Sequence, residues 1–231
     1  LAIVPAILLK GGAWFAGHGT ETSKGTKVFA VTGKVRNAQL VEVPMGTTLR
    51  QIVFEVCGGV LDNKEIKAVQ TGGPSGGVIP ASLLDTPVSY ETLQQLGSIM
   101  GSGGMLVMDK GDSMVEVAKF YLRFCVDESC GKCAPCRIGG YQLLQILDRI
   151  SRGRGSAGDI AVINRICHAM QKASLCGLGQ SAPNPVLSTL RYFGEEYQAF
   201  IEGGPSYARK ISGAAKAAKA PAPATTQEVS S

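Results

Sequence analysis

The sequence predicts an α+β chain in which a small β-grasp-like domain is followed by a four-helix bundle. Three observations carry that expectation. Short β-branched runs with period-two alternation occupy the first half. Apolar residues at helical spacing fill the second half from Asp112 onward. Thiols gather at the ends of the expected helices, at Cys130, Cys133 and Cys136 and again at Cys176. At 231 residues and 45% hydrophobic, the chain can bury one large core or two small ones. Its formal charge is +5, but the segment after Gly204 holds Arg209, Lys210, Lys216 and Lys219 against Glu228. The body is therefore nearly balanced, and no basic face suited to nucleic acid stands out.

In chain order, residues 1–15 read as a helix running to Phe15, followed by a loop through Gly17, Gly19 and Gly25. The apolar opening Leu1 to Leu9 is too short to span a bilayer and is interrupted by Pro5, so no direct membrane insertion is expected. Lys27 to Thr32 and Gln39 to Val43 alternate as two strands around a turn containing Gly33 and Asn37. Thr47 is placed to cap a helix carrying Leu49, Ile52, Val53 and Val56, and Ile66 to Val69 resembles a further strand. One helix across a short sheet is the β-grasp-like unit, over residues 27–110.

Gly72-Gly73-Pro74-Ser75-Gly76-Gly77 permits unusual backbone angles and close main-chain approach. It lacks the lysine and Ser/Thr pair of a P-loop and the spacing of a dinucleotide fingerprint, so a packing turn is favoured over a phosphate cradle. Gly101-Ser102-Gly103-Gly104 reads as a turn into a buried strand, Met105 to Met108.

Four amphipathic helices are expected over residues 111–203. Val115, Ala118, Tyr121, Leu122 and Cys125 stripe the first; Tyr141, Leu144, Leu147 and Ile150 the second. Ile160, Ile163, Ile166, Cys167 and Met170 stripe the third; Val186, Leu190, Phe193 and Tyr197 the fourth. Short connections argue for a bundle, with the cysteine triplet just before the second helix and Cys176 between the third and fourth. Residues 204–231, rich in Ala, Lys and Pro, read as a flexible tail.

Seven cysteines with three in one C-x-x-C-x-x-C turn suit metal ligation better than a disulfide framework, since no secretory signal precedes them and the total is odd. Four thiolates at Cys130, Cys133, Cys136 and Cys176 serve either tetrahedral zinc or an iron-sulfur cluster. The triplet with a distant fourth favours a 4Fe-4S cluster. A zinc-stapled, non-catalytic interaction module is the alternative, in which His168 could replace one sulfur. A β-grasp binding domain with a purely structural cysteine site is a third. Cys125 and Cys167 fall on apolar helical faces, and Cys125 is the one rival ligand. Lys132 and Arg137 flank the triplet, where they either raise a cluster's potential or are simply solvated. With a thiolate for each iron and no Ser/His/Asp set or paired carboxylates, electron transfer is expected rather than bond chemistry, and no catalytic residue is assigned.

Glu128-Ser129-Cys130-Gly131-x-Cys133-x-Pro135-Cys136-Arg137-x-Gly139, Ser174-Leu175-Cys176-x-Leu178-Gly179 and the Gly72 to Gly77 run together resemble the flavin-containing NADH dehydrogenase subunit family. That family includes the 51-kDa-type subunit of respiratory complex I and the diaphorase subunit of NAD-linked hydrogenases. The resemblance runs from Leu1 to about Tyr197, and Cys176-Gly177-Leu178-Gly179-Gln180 with Ala182-Pro183-Asn184-Pro185 is nearer the hydrogenase branch. It implies that the four cysteines hold a 4Fe-4S cluster, which passes single electrons between FMN, reduced by NADH, and other iron-sulfur subunits. It also implies that FMN and NAD(H) belong to a half preceding this sequence, of which residues 1–26 are the remnant. The 231 residues alone are then expected to lack a flavin site and a further ferredoxin-like extension. A cytoplasmic location, or one peripheral to a membrane complex, follows from the same resemblance.

Overall fold

The computed structural model describes residues 2–219, with 212–219 described by backbone alone. The expected N-terminal helix is broken into α1 (Val4–Lys10) and α2 (Gly12–Ala16), because Gly11 adopts φ +88° and ends the first segment. Five strands follow: β1 (Thr26–Gly33), β2 (Gln39–Pro44), β3 (Ile66–Thr71), β4 (Gly77–Pro80) and β5 (Gly104–Asp109). They form one sheet in the order β2-β1-β5-β3-β4. The β1/β2 hairpin is antiparallel, β1 and β5 run parallel, and β3 is antiparallel to both of its neighbours.

Residues 51–56 form a π-helical turn that lays Ile52 and Val53, both fully buried, on one face of the sheet with Phe29, Val31, Val69 and Val107. Its cap is Thr48 rather than the expected Thr47. Thr48 Oγ1 accepts from the Gln51 N–H, while the Gln51 carboxamide oxygen accepts from the Thr48 N–H, a reciprocal arrangement one residue later. Thr47 Oγ1 instead donates to the Pro44 carbonyl. The short α3 (Tyr90–Gln95) is closed by a Ser89/Thr92 capping box.

The other face of the sheet is also covered. Ala68, Val78, Met108 and Met114 form a small buried cluster there, with Leu106, Val117 and Phe193 against it. Strands buried on two faces read as continuous apolar runs rather than alternations. This is why β4, four residues directly after a glycine run, carries no alternation to announce it. Its free edge is closed by a helix: the Val78 N–H donates to Ser188 Oγ at 2.9 Å.

Four longer helices share a second core: α4 (Met114–Asp127), α5 (Gly140–Ser151), α6 (Ala157–Ala173) and α8 (Asn184–Lys219). Val115, Ala118, Leu122, Leu143, Leu147, Ile150, Ile163, Cys167, Val186 and Tyr197 are its fully buried members. Two expected stripe positions differ. Tyr141 is 54% exposed, because α5 turns Leu143 and Ile146 inward in its place. Phe193 sits at a kink (φ −135°) and packs toward the sheet cluster rather than the helical core. Among the described residues, no helix is long and apolar enough to cross a membrane.

The tail expected from Gly204 also differs over its first residues. After a second kink at Gly204, α8 continues, and Ala208 is buried while Tyr207 and Ile211 pack against the helical core. The Ala/Lys/Pro portion beyond Lys219 lies outside the described residues.

Candidate metal centre

The glycine-rich turn joins the two cores. Pro74 and Ser75 form a short 3-10 turn that packs against α4 and α8. Asn184 Nδ2 donates to the Ser75 carbonyl at 2.9 Å, and Cys125 Sγ lies 3.8 Å from the Pro74 carbonyl. A Cβ on Gly76 would sit 1.7 Å from the Thr71 carbonyl oxygen, so only glycine fits that approach. The turn packs between α4 and α8, and it braces the end of α4 from which the cysteine segment departs.

Cys130 is exposed, and Cys133 and Cys136 are half-buried. Pro135 opens a π-helical turn, Pro135–Gly139, that continues directly into α5 and carries Cys136 and Arg137. Proline suits this first position because its missing N–H would have had no helical partner. Ser129 Oγ lies 3.3 Å from Cys136 Sγ and accepts from the Gly131 N–H at 3.2 Å, so one hydroxyl ties both ends of the loop together.

The chain then returns at the C-terminus of α6. Ser174 is buried at the α6 C-cap, Leu175 is exposed, and Cys176 is the exposed N-cap residue of the short α7 (Gly177–Ser181). Two contacts set the return segment against the triplet. The N–H of Leu175 faces the Cys133 sulfur, and together with the Cys136 N–H it holds that thiol below its ordinary value. A Cβ on Gly179 would meet Ser174 Cβ at 2.6 Å and Cys136 Cβ at 2.9 Å, so the two segments close on each other only through a glycine. Gln180 Nε2 donates to the Ser174 carbonyl at 3.0 Å and fixes the corner. Ser174 Oγ is buried with no well-formed hydrogen bond, although it lies near enough to Cys133 to contribute weakly to its depressed value.

Cys133 and Cys136 are thus brought beside the segment that holds Cys176. Among the described residues, no three His, Cys, Asp or Glu side chains are gathered tightly enough around one point to hold a single metal ion. Cys125 is buried, and that burial, with the Cys136 thiol nearby, pushes its own thiol up to about 11. Cys167 is likewise pushed up to about 12 by burial. Both suit neutral core thiols. His168 is exposed on α6, and His18 stacks edge-on against Trp14 near the other end of the chain. An open recess of about 390 Å³ borders the triplet, lined by Val126, Ser129, Gly131, Cys136, Arg137, Ile138 and Tyr141.

Three contributors carry no role that the sequence alone assigns: Ser129, Ser174 and Gly179. Each stands inside one of the family motifs, but only the folded chain shows which partner each one meets.

Fold and site together define a thiol-rich helical module mounted on a five-stranded sheet domain. Residues 116–200 match the family described as the NADH-ubiquinone oxidoreductase-F iron-sulfur binding region, and residues 28–79 match the SLBB domain. The chain is 53% identical over 201 residues to the NADP-reducing hydrogenase subunit HndC of Solidesulfovibrio fructosivorans, covering 87% of this chain and 41% of that protein. It is 39% identical to an F-type subunit of the NADH-quinone oxidoreductase of Rhizobium meliloti (strain 1021), covering 87% of this chain and 48% of that one. Among solved structures it is similar to an NAD+-reducing NiFe-hydrogenase in the air-oxidised state, with TM-score 0.77 and 33% identity over 86% of this chain and 34% of that chain. The resemblance read from the three motifs is therefore borne out, and the chain spans less than half the length of these relatives.

Proposed function

We propose that this chain is the electron-transfer part of an NADH-oxidising or NAD-reducing flavin and iron-sulfur assembly, of the hydrogenase-linked kind to which its 53% identity to a hydrogenase subunit points. Cys130, Cys133, Cys136 and Cys176 would hold a 4Fe-4S cluster at one end of a four-helix bundle. When bound, such a cluster accepts and releases one electron at a time. FMN and NAD(H) would act in the complete protein, with other iron-sulfur subunits as partners, in the cytoplasm or at the periphery of a membrane complex.

The observation that carries this reading is the closure of the Ser174 to Gly179 segment on the Cys133/Cys136 turn, within a region whose family is an iron-sulfur binding one. The donor set fits the group. All four residues are thiols at least partly open to solvent, and backbone N–H groups already favour the thiolate at Cys133. A cube also presents a separate iron to each sulfur, so its ligands need not converge on one point as they must around zinc. The protein's own work is to hold the thiolates on rigid helix ends, to supply N–H groups to sulfur, and to keep Cys125 neutral behind them.

Anaerobic iron, sulfide and zinc analysis of the purified protein tests the reading. About four irons and four sulfides per chain are expected for one cube. One zinc without sulfide would replace the electron carrier with a stapled interaction module.

A further inference from the structure

The turn between Cys130 and Cys133 is held from one side by a single side chain. Arg137 folds back from the helical turn after Cys136, so that its Nη1 donates to the Gly131 carbonyl at 2.5 Å and reaches the Lys132 carbonyl at 3.4 Å. Gly131 has φ +73°, and the Arg137 Cδ lies 3.9 Å from where a Gly131 Cβ would stand. The arginine stem therefore covers the open side of the glycine while its head takes up two carbonyls in succession.

A peptide unit is planar and trans, so its N–H points opposite to its C=O. With the carbonyls of Gly131 and Lys132 drawn to the guanidinium, the N–H groups of Lys132 and Cys133 are presented on the far side. Of the two, the Cys133 N–H lies nearest its own sulfur, which the N–H groups of Leu175 and Cys136 approach from outside this turn. A guanidinium offers several donors in a fixed plane, which a lysine cannot reproduce.

We propose that Arg137 is a positioning residue that, by holding the Gly131 and Lys132 carbonyls, turns backbone N–H dipoles toward the cysteine sulfurs and raises the reduction potential of the cluster they hold. The proposal rests on the cluster reading above. Hydrogen bonds to the sulfurs and local charge are among the levers that set such potentials. Reduction adds negative charge, which N–H dipoles stabilise and carbonyl oxygens oppose.

The test is a redox titration, followed by electron paramagnetic resonance, of the holoprotein and of its Arg137→Met and Arg137→Lys variants. Arg137→Met is expected to shift the one-electron equilibrium about tenfold toward the oxidised form, about 59 mV lower in potential. Arg137→Lys is expected to recover less than half of that shift. A wild-type potential in Arg137→Met overturns the proposal. So does a wild-type potential in Arg137→Lys, which would assign the effect to charge alone. Amide hydrogen exchange at Lys132 and Cys133 in the metal-free chains gives a second readout that survives loss of the cluster. Faster exchange in Arg137→Met supports the carbonyl contact, and unchanged exchange overturns it. Iron and sulfide content of the unaltered protein judges the cluster reading separately.

Discussion

Two cysteines separate the proposed ligands from a bystander. Cys176 is exposed at the N-cap of α7, beside a segment whose Leu175 N–H faces the Cys133 sulfur. Cys125 lies close to Cys136 but is buried, and its thiol is pushed up to about 11. A thiol so reluctant to ionise is a poor ligand at neutral pH. Cys176→Ser should therefore cost the protein most of its iron or convert the cluster, whereas Cys125→Ser should keep wild-type iron and the wild-type visible spectrum. Full iron in Cys176→Ser, measured by anaerobic metal analysis, would sink the four-thiolate assignment.

Between elements, the decisive contact is that of α7 with the turn that opens α5. Gly179 is the point of closest approach, and an added methyl would press on Ser174 and Cys136 at 2.6 and 2.9 Å. Overpacking of this kind costs about 1–3 kcal/mol and is relieved here only by moving the Ser174 loop away from the cysteines. Gly179→Ala should lower the unfolding midpoint and reduce iron retention together. Gly177→Ala, two residues away with nothing within 4 Å of the added carbon, should do neither. Equal iron content in both variants would show that this crossing does not shape the site.

Across the whole molecule, sheet and helices are locked by ion pairs at the start of α4. Asp109, at the end of β5 and almost fully buried, accepts from Lys34 Nζ at 2.7 Å, and Lys34 also reaches Asp112 at 3.0 Å. On α8, Glu196 accepts from the Met114 N–H at 2.9 Å and pairs with Lys67 of β3. Burial alone would raise the Asp109 carboxyl, but the Lys34 ammonium and the Gly111 N–H outweigh it and hold it below its ordinary 3.8. A carboxyl depressed on folding contributes stability that is fully present above its unfolded value and is lost as pH falls through its folded value. Asp109→Asn should destabilise the metal-free chain by about 1.5–3 kcal/mol at neutral pH, the range for hydrogen bonds to charged groups. That difference should shrink below about pH 3.8 in urea melts; a difference independent of pH would argue against the linkage.

Much of this was legible in the linear pattern. Alternation in Lys27 to Thr32 and Gln39 to Val43, helical stripes such as Leu144, Leu147 and Ile150, and the spacing of Cys130, Cys133 and Cys136 are local properties, fixed by the period of each element. They gave the α+β character and the candidate ligands. Other features were decided only in three dimensions, since they depend on which surfaces meet. β4 is a strand because Val78 is buried on one face of the sheet and Ile79 on the other, while Ser188 of α8 closes its edge. Tyr141 faces outward because Leu143 and Ile146 pack better against neighbours the sequence does not name. Ala208 is held in a segment of disordered composition because the helical core extends to meet it. The approach of the Cys176 segment to Cys133 and Cys136 belongs with these: some forty residues apart in the chain, they adjoin because α5 and α6 fold back on a shared core and a glycine lets their ends close.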